Sequence, residues 1–190
     1  MFHYIYTLPW NAIFMLMPLM TILSGILVFV TRMVMKKTRW VYLVLLALWT
    51  MVVVYVTLLS RQRGEYGISL RLFASHIWAK TQPEYYRANF MNLLLFFPGG
   101  ILLKISLHDK MRAFMGCLAT ICILLGMSVL IEIAQGLFSI GTVEIDDVFY
   151  NTLGASFGCG AAVLIEKVYS KVLWKFLEFP IDKEDGKGVL

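Results

Sequence analysis

Apolar runs of about 20 residues recur along the chain, separated by short polar stretches. A bilayer core about 30 Å thick needs roughly that length of apolar helix. The runs predict five spans, at about 11–32, 40–59, 88–106, 113–137 and 148–168. The third is the least regular. It starts polar and carries FPGG from Phe97 to Gly100, where Pro98 removes a backbone donor. That motif predicts a kinked or broken helix, tolerable only where neighbouring helices shield the freed backbone. The expected fold class is an all-α integral membrane protein, its five helices in a compact bundle. Residues 1–179 read as one polytopic domain, and the polar stretch 180–190 as a disordered cytoplasmic tail. Between the second and third spans, residues 60–88 mix apolar and basic positions. A short helix, a re-entrant turn and a partly ordered loop all fit that segment.

Composition agrees with the pattern. Hydrophobic residues make up 59% of the chain, and mean hydropathy is +0.75, far above soluble averages. No Lys, Arg, Asp or Glu occurs from Met1 to Thr31. Positive charge follows the first run, at Arg32, Lys36, Lys37 and Arg39, so that run does not read as a cleaved signal peptide.

Charge then sets an expected orientation, because Lys and Arg are retained on the cytoplasmic side. With the N-terminus outside, the inner segments hold 12 of the 17 basic residues. The outer side keeps Arg61, Arg63, Arg71, Lys80 and Arg87, all in one loop. Basic residues divided between two faces do not make a nucleic-acid groove, so no nucleic-acid partner is expected. Cys117, Cys122 and Cys159 fall inside spans and read as buried packing residues. His3, His76 and His108 lie in separate segments, without metal spacing. No cofactor is expected, save a divalent cation that Asp146 and Asp147 could hold.

Polar residues inside the spans converge at one depth. Asn92 lies about four residues into the third span, roughly 6 Å at 1.5 Å per residue. Glu132 and Gln135 lie just below the end of the fourth span, and Asp147 and Asn151 at the start of the fifth. The pairs Glu132/Gln135, Asn89/Asn92 and Asp147/Asn151 each share a helix face. Gly154 and Gly158 continue the last of these faces and suit close helix packing. A glutamate in lipid should have a partner, and Arg87, Asn92 and Asn151 are the candidates for Glu132. Plainer readings stand beside these. Asp146 or Asp147 could be only a helix cap. Asn92, Gln135 and Asn151 could be only interhelical hydrogen-bond glue. Glu166, at the far end of the fifth span, reads as a neutral position. Ala161 reads as lying off the glycine face.

Three blocks carry a resemblance. NLLLFFPGG (Asn92 to Gly100), EIAQ (Glu132 to Gln135) and DDVFYNTLGASFG (Asp146 to Gly158) resemble, in order, blocks of the VanZ-like family of bacterial membrane proteins. Many relatives carry an Arg before the Asp pair, whereas Ser139 to Asp147 has none. A Pro in the motif ahead of the third span is replaced by Leu72. The resemblance implies a polytopic protein tied to low-level glycopeptide resistance, of the teicoplanin type.

The leading functional expectation is a protein that binds or remodels an envelope lipid or lipid-linked cell-wall precursor at the outer leaflet. Arg or Lys would meet phosphates, and carboxylates would hold a cation or an amine. An intramembrane hydrolase or transferase is the alternative, with Glu132 as general acid or base. No nucleophile–base pair is visible in the sequence, so the balance leans away from an enzyme. A transporter is disfavoured because the polar residues gather at one face rather than at the midplane. A structural partner subunit also remains open.

Overall fold

The computed structural model describes residues 22–24, 26, 27, 30, 38–61, 67–82, 84–107 and 113–177. Most of the first predicted span and the tail 180–190 lie outside these residues.

Helix α1 covers Thr38–Val54 and passes into a π-helical turn at Tyr55–Leu59. Strand β1 (Gly67–Ser69) and the short helix α2 (Ala74–Trp78) follow. Then come α3 (Glu84–Ser106), α4 (Ala113–Phe138), strand β2 (Thr142–Glu144) and α5 (Ile145–Leu177). The predicted spans therefore stand within a few residues at α1, α3 and α4, while α5 starts earlier and runs longer. Four of these helices are long and apolar enough to cross a membrane, beginning at Trp40, Glu84, Phe114 and Ile145. The loop at 60–88 contains the short helix.

α3 runs without a break through Pro98, so the broken-helix expectation is not met. Both flanks of the FPGG motif are covered. Trp49 stands over Gly99, and the Ala155 backbone lies against Gly100. Neighbouring helices thus shield the backbone that proline disturbs.

α3 and α5 form the centre. Gly154 lies on Leu93 and Gly158 on Phe97, so each contact joins residues at the same spacing along the two helices. A constant offset means the helices run parallel. α1 runs the other way, because Tyr42 packs near Ile101 and Ile105 while Val53 clusters with Phe96. α4 is also antiparallel, with Gly116 near Lys104 at one end and Ser128 bonded to Asn151 towards the other. One end of the bundle therefore collects the last residues of α1 and α4 and the first of α3 and α5.

Outside the core, large apolar side chains are exposed: Met51, Ile123, Leu130, Leu137 and Leu164 among them. In lipid that is the expected arrangement, since lipid chains solvate apolar surface. Hydroxyls in the helices are satisfied locally. Thr50, Thr57, Thr120, Thr152 and Ser156 each donate to the carbonyl four residues earlier. Cys159 is buried and Cys117 partly so, but Cys122 is exposed. The expectation of three buried thiols is corrected there, because Cys122 falls on the lipid-facing side of α4.

Candidate polar cavity and its collar

The end of the bundle where α3 and α5 begin is closed by a collar. Strands β1 and β2 pair in parallel, Gly67 with Thr142 through Ser69 with Glu144. β2 leads directly into α5, so the strand pairing sets where Glu144, Asp146 and Asp147 sit. Asp146 is buried and turns away from the bundle axis. Its two carboxylate oxygens accept from the backbone N–H groups of Phe73 and Ser75. It thereby caps α2 through residues 73 and 71 positions away in sequence. Phe73 has a left-handed backbone, φ 62°, which a bulky residue tolerates only when held. Asp146 holds its N–H, and Phe149 and His76 pack edge-on against its ring. His76 is bonded in turn to the Tyr150 hydroxyl. Asn89 donates to Ser75 Oγ at 2.9 Å, tying α3 to the same collar.

Beneath the collar lies a cavity of about 430 Å³, within the size range of small-ligand sites. α1 contributes Val56, Thr57 and Arg61; α3 contributes Asn89, Met91, Asn92 and Leu95; the α5 side contributes Glu144 and Asp147. The π-turn of α1 forms one wall. Such turns are frequent at functional sites.

Three acidic side chains gather around this space, Asp147 and Glu144 on its lining and Glu132 behind. Asp147 is hydrogen-bonded by the Asn92 side chain. Glu132, 4% exposed, lies behind the cavity wall. Its Oε2 accepts from the Glu144 backbone N–H at 2.8 Å. Arg61 is the cation within electrostatic reach of Glu132, Glu144 and Asp147. Glu132 is thus held by a backbone amide, with Arg61 as its nearby charge; of the expected candidates, Asn92 bonds Asp147 and Asn151 bonds Ser128.

Arg61 and Glu144 are underweighted when polar residues are sought inside the third to fifth spans alone. The end of the second span finishes at the same level and carries Arg61. Arg61 also answers a gap in the family blocks. Ser139 to Asp147 has no Arg, but the Arg61 guanidinium lies against Gly141 in that very loop. A side chain on Gly141 would press directly on it.

The other predicted polar residues lie in a layer of interhelical bonds. Asn151 donates to Ser128 Oγ at 2.9 Å, and Gln135 to the Thr57 carbonyl at 3.2 Å. Both are buried. Among the described residues Asn151 Oδ1 and Gln135 Oε1 have no hydrogen-bond partner. Arg87 is half-buried on the second turn of α3 and does not line the cavity. Among the described residues no three His, Cys, Asp or Glu side chains gather as a metal site.

Glu144 titrates unusually. Burial, then the charges of Asp147 and Asp146, push its carboxyl from an ordinary 4.5 up to about 7, against the pull of Arg61. The folded state therefore holds a proton that the unfolded state has released between about pH 4.5 and 7. Stability contributed by this group falls as pH rises through that window and is level above it. Glu144→Gln removes the effect while keeping the backbone N–H that serves Glu132. The variant should melt above the parent at pH 8 and level with it near pH 4.5. The gap at pH 8 should be on the order of 1 kcal/mol, since solvent screens a half-exposed group. An equal gap at both pH values would refute this account of Glu144.

These features define a class: a polytopic helical membrane protein with a charged cavity at one end of a parallel helix pair. A family model described as VanZ/LLP1 matches residues 38–166, more than half of the chain and all of the cavity. The chain belongs to the VanZ/LLP1 family. No curated protein and no solved structure matches it.

Proposed function

We propose that this VanZ-like membrane protein contributes to teicoplanin-type glycopeptide resistance by binding an amphiphile of the cell envelope in the cavity. The amphiphile is an envelope lipid or a lipid-linked cell-wall precursor, held at the outer face of a bacterial cell membrane. Binding there would make the antibiotic's target less accessible. The observation that carries the reading is the cavity itself. It has charged groups towards the collar and Val56, Met91 and Leu95 on its walls, at the end of helices long enough to span a bilayer. Such a mixed lining suits a molecule with a polar head and an apolar tail. Orientation follows from the charge distribution: N-terminus outside, C-terminus in the cytoplasm.

The test has two parts. A cysteine introduced at Ser139 should react with an impermeant reagent from outside intact cells, and one at Lys171 should not. Asp147→Asn keeps the shape of a cavity-lining side chain and removes its charge. At equal expression in a sensitive host, it should lose most of the teicoplanin protection that the parent confers. Undiminished protection, or labelling at Lys171 instead of Ser139, would overturn the reading.

A further inference from the structure

The charges on the cavity wall select among headgroups. Glu144 and Asp147 present two acidic side chains on the lining. Among the described lining residues only Arg61 is cationic. A purely anionic head would face a net negative wall in a poorly screened site, which is repulsive. A purely cationic head would leave Arg61 unused. Among the described residues no carboxylate forms an ion pair with Arg61 within 4 Å. The Glu144 carboxylate likewise accepts no hydrogen bond from the described residues, while its backbone N–H serves Glu132. The site thus offers a guanidinium and a carboxylate that are each available to a ligand.

The apolar wall shows where a tail would go. Trp49 seals α1 to α3 on the bilayer side of the cavity. Its Nε1 donates to the Leu95 carbonyl at 2.9 Å, and its ring covers Gly99. Beyond that seal, α1 enters the π-turn and presents Val56 to Met91 and Leu95 across the cavity. Tyr55 and Leu59 on the same turn are exposed, so the α1–α3 gap borders the lipid-facing surface.

Building on the lipid-binding reading, we infer that the ligand is a zwitterionic phosphate–ammonium amphiphile of the phosphoethanolamine kind. Its ammonium donates to Glu144 and Asp147, its phosphate accepts from Arg61, and its tail leaves between α1 and α3. A primary ammonium fits better than a trimethylammonium because it has N–H donors for the carboxylates. Guanidinium and phosphate form charge-assisted bonds of the strong kind.

The experiment uses the purified full chain in a neutral detergent, with binding read by native mass spectrometry. The probes are lysophosphatidylethanolamine, lysophosphatidylcholine and lysophosphatidylglycerol of one chain length, and free phosphoethanolamine. The ethanolamine lysolipid should bind about tenfold tighter than either other lysolipid, the ratio that one charge-assisted hydrogen bond supplies. Asp147→Asn and Glu144→Gln should each erase that preference, so that one misfolded variant does not end the test. Equal or tighter binding of the glycerol lysolipid, unaffected by both variants, would overturn the ammonium assignment and leave the lipid-binding reading standing. Free phosphoethanolamine binding as tightly as the lysolipid would overturn the tail's exit and point to a soluble ligand. Ala88 also lines the cavity, so Ala88→Trp would fill it; if no lysolipid binds more tightly to the parent than to that variant, both readings fall together.

Discussion

Gly158→Leu is expected to abolish folded protein in detergent, while Gly160→Leu leaves yield and melting temperature near the parent's. A Cβ on Gly158 would overlap the Phe97 carbonyl oxygen, and one on Gly154 the Leu93 carbonyl oxygen. Gly100 returns the contact from α3, where a Cβ would overlap the Ala155 carbonyl. The obstacle in each case is backbone, which cannot rotate aside as a side chain can. α3 and α5 would have to separate along their whole shared face. Overpacking a core costs about 1–3 kcal/mol when side chains can adjust, so this should cost about 3 kcal/mol or more. Gly160 has nothing within 4 Å of its Cβ position and is the matched control. Ala161, which the helical wheel places off the glycine face, is a poor control. It is buried in the cluster of Tyr42, Phe97 and Ile101. Size-exclusion elution and thermal melting of the two glycine variants make the comparison. A Gly158→Leu protein that elutes and melts like the parent would show that the helices are not in backbone contact.

Breaking the ion pair at the other end of the bundle should be nearly as damaging. Lys104 Nζ lies 3.2 Å from Glu166 Oε2, with side-chain exposures of 1% and 10%. Position 166 reads as neutral in the sequence, and the structure corrects that reading. Glu166→Gln leaves an ammonium buried between α3, α4 and α5, with its aliphatic stem against Gly116. Removing one partner of a buried pair costs about 3–5 kcal/mol, because the charge that stays has lost its compensation. Lys104→Met is expected to be similarly harmful. The double variant Lys104→Met/Glu166→Gln buries no charge and should recover most of the loss, since apolar replacement of a buried pair is often near neutral. Melting temperatures of the four proteins close the cycle. Additive losses in the double variant would mean that the two residues do not act as a pair.

Much of this arrangement is legible in the sequence. The apolar runs mark α1, α3, α4 and α5 because a span must be about 20 residues of helix in lipid, whatever its neighbours do. Polar residues within those runs stand out for the same reason, so Asn92, Glu132, Asp147 and Asn151 can be singled out by position alone. The family blocks can be recognised too, since they are local strings. What those residues bond to cannot be read there. Asp146 and Asp147 are adjacent and chemically identical. One caps a distant helix, and the other lines the cavity and meets Asn92. Which one faces which way depends on the β1–β2 pairing, and that joins segments about 75 residues apart.

Helix character and the small-residue face of α5 thus follow from local chemistry: lipid leaves the backbone no partner but itself, and glycine alone permits the closest approach. The division of labour among the carboxylates, the position of Arg61 over the Gly141 loop and the pairing of Lys104 with Glu166 were decided only by the tertiary structure. Each joins residues from different helices, and the energy of a charge depends on which partners and how much solvent the fold places around it.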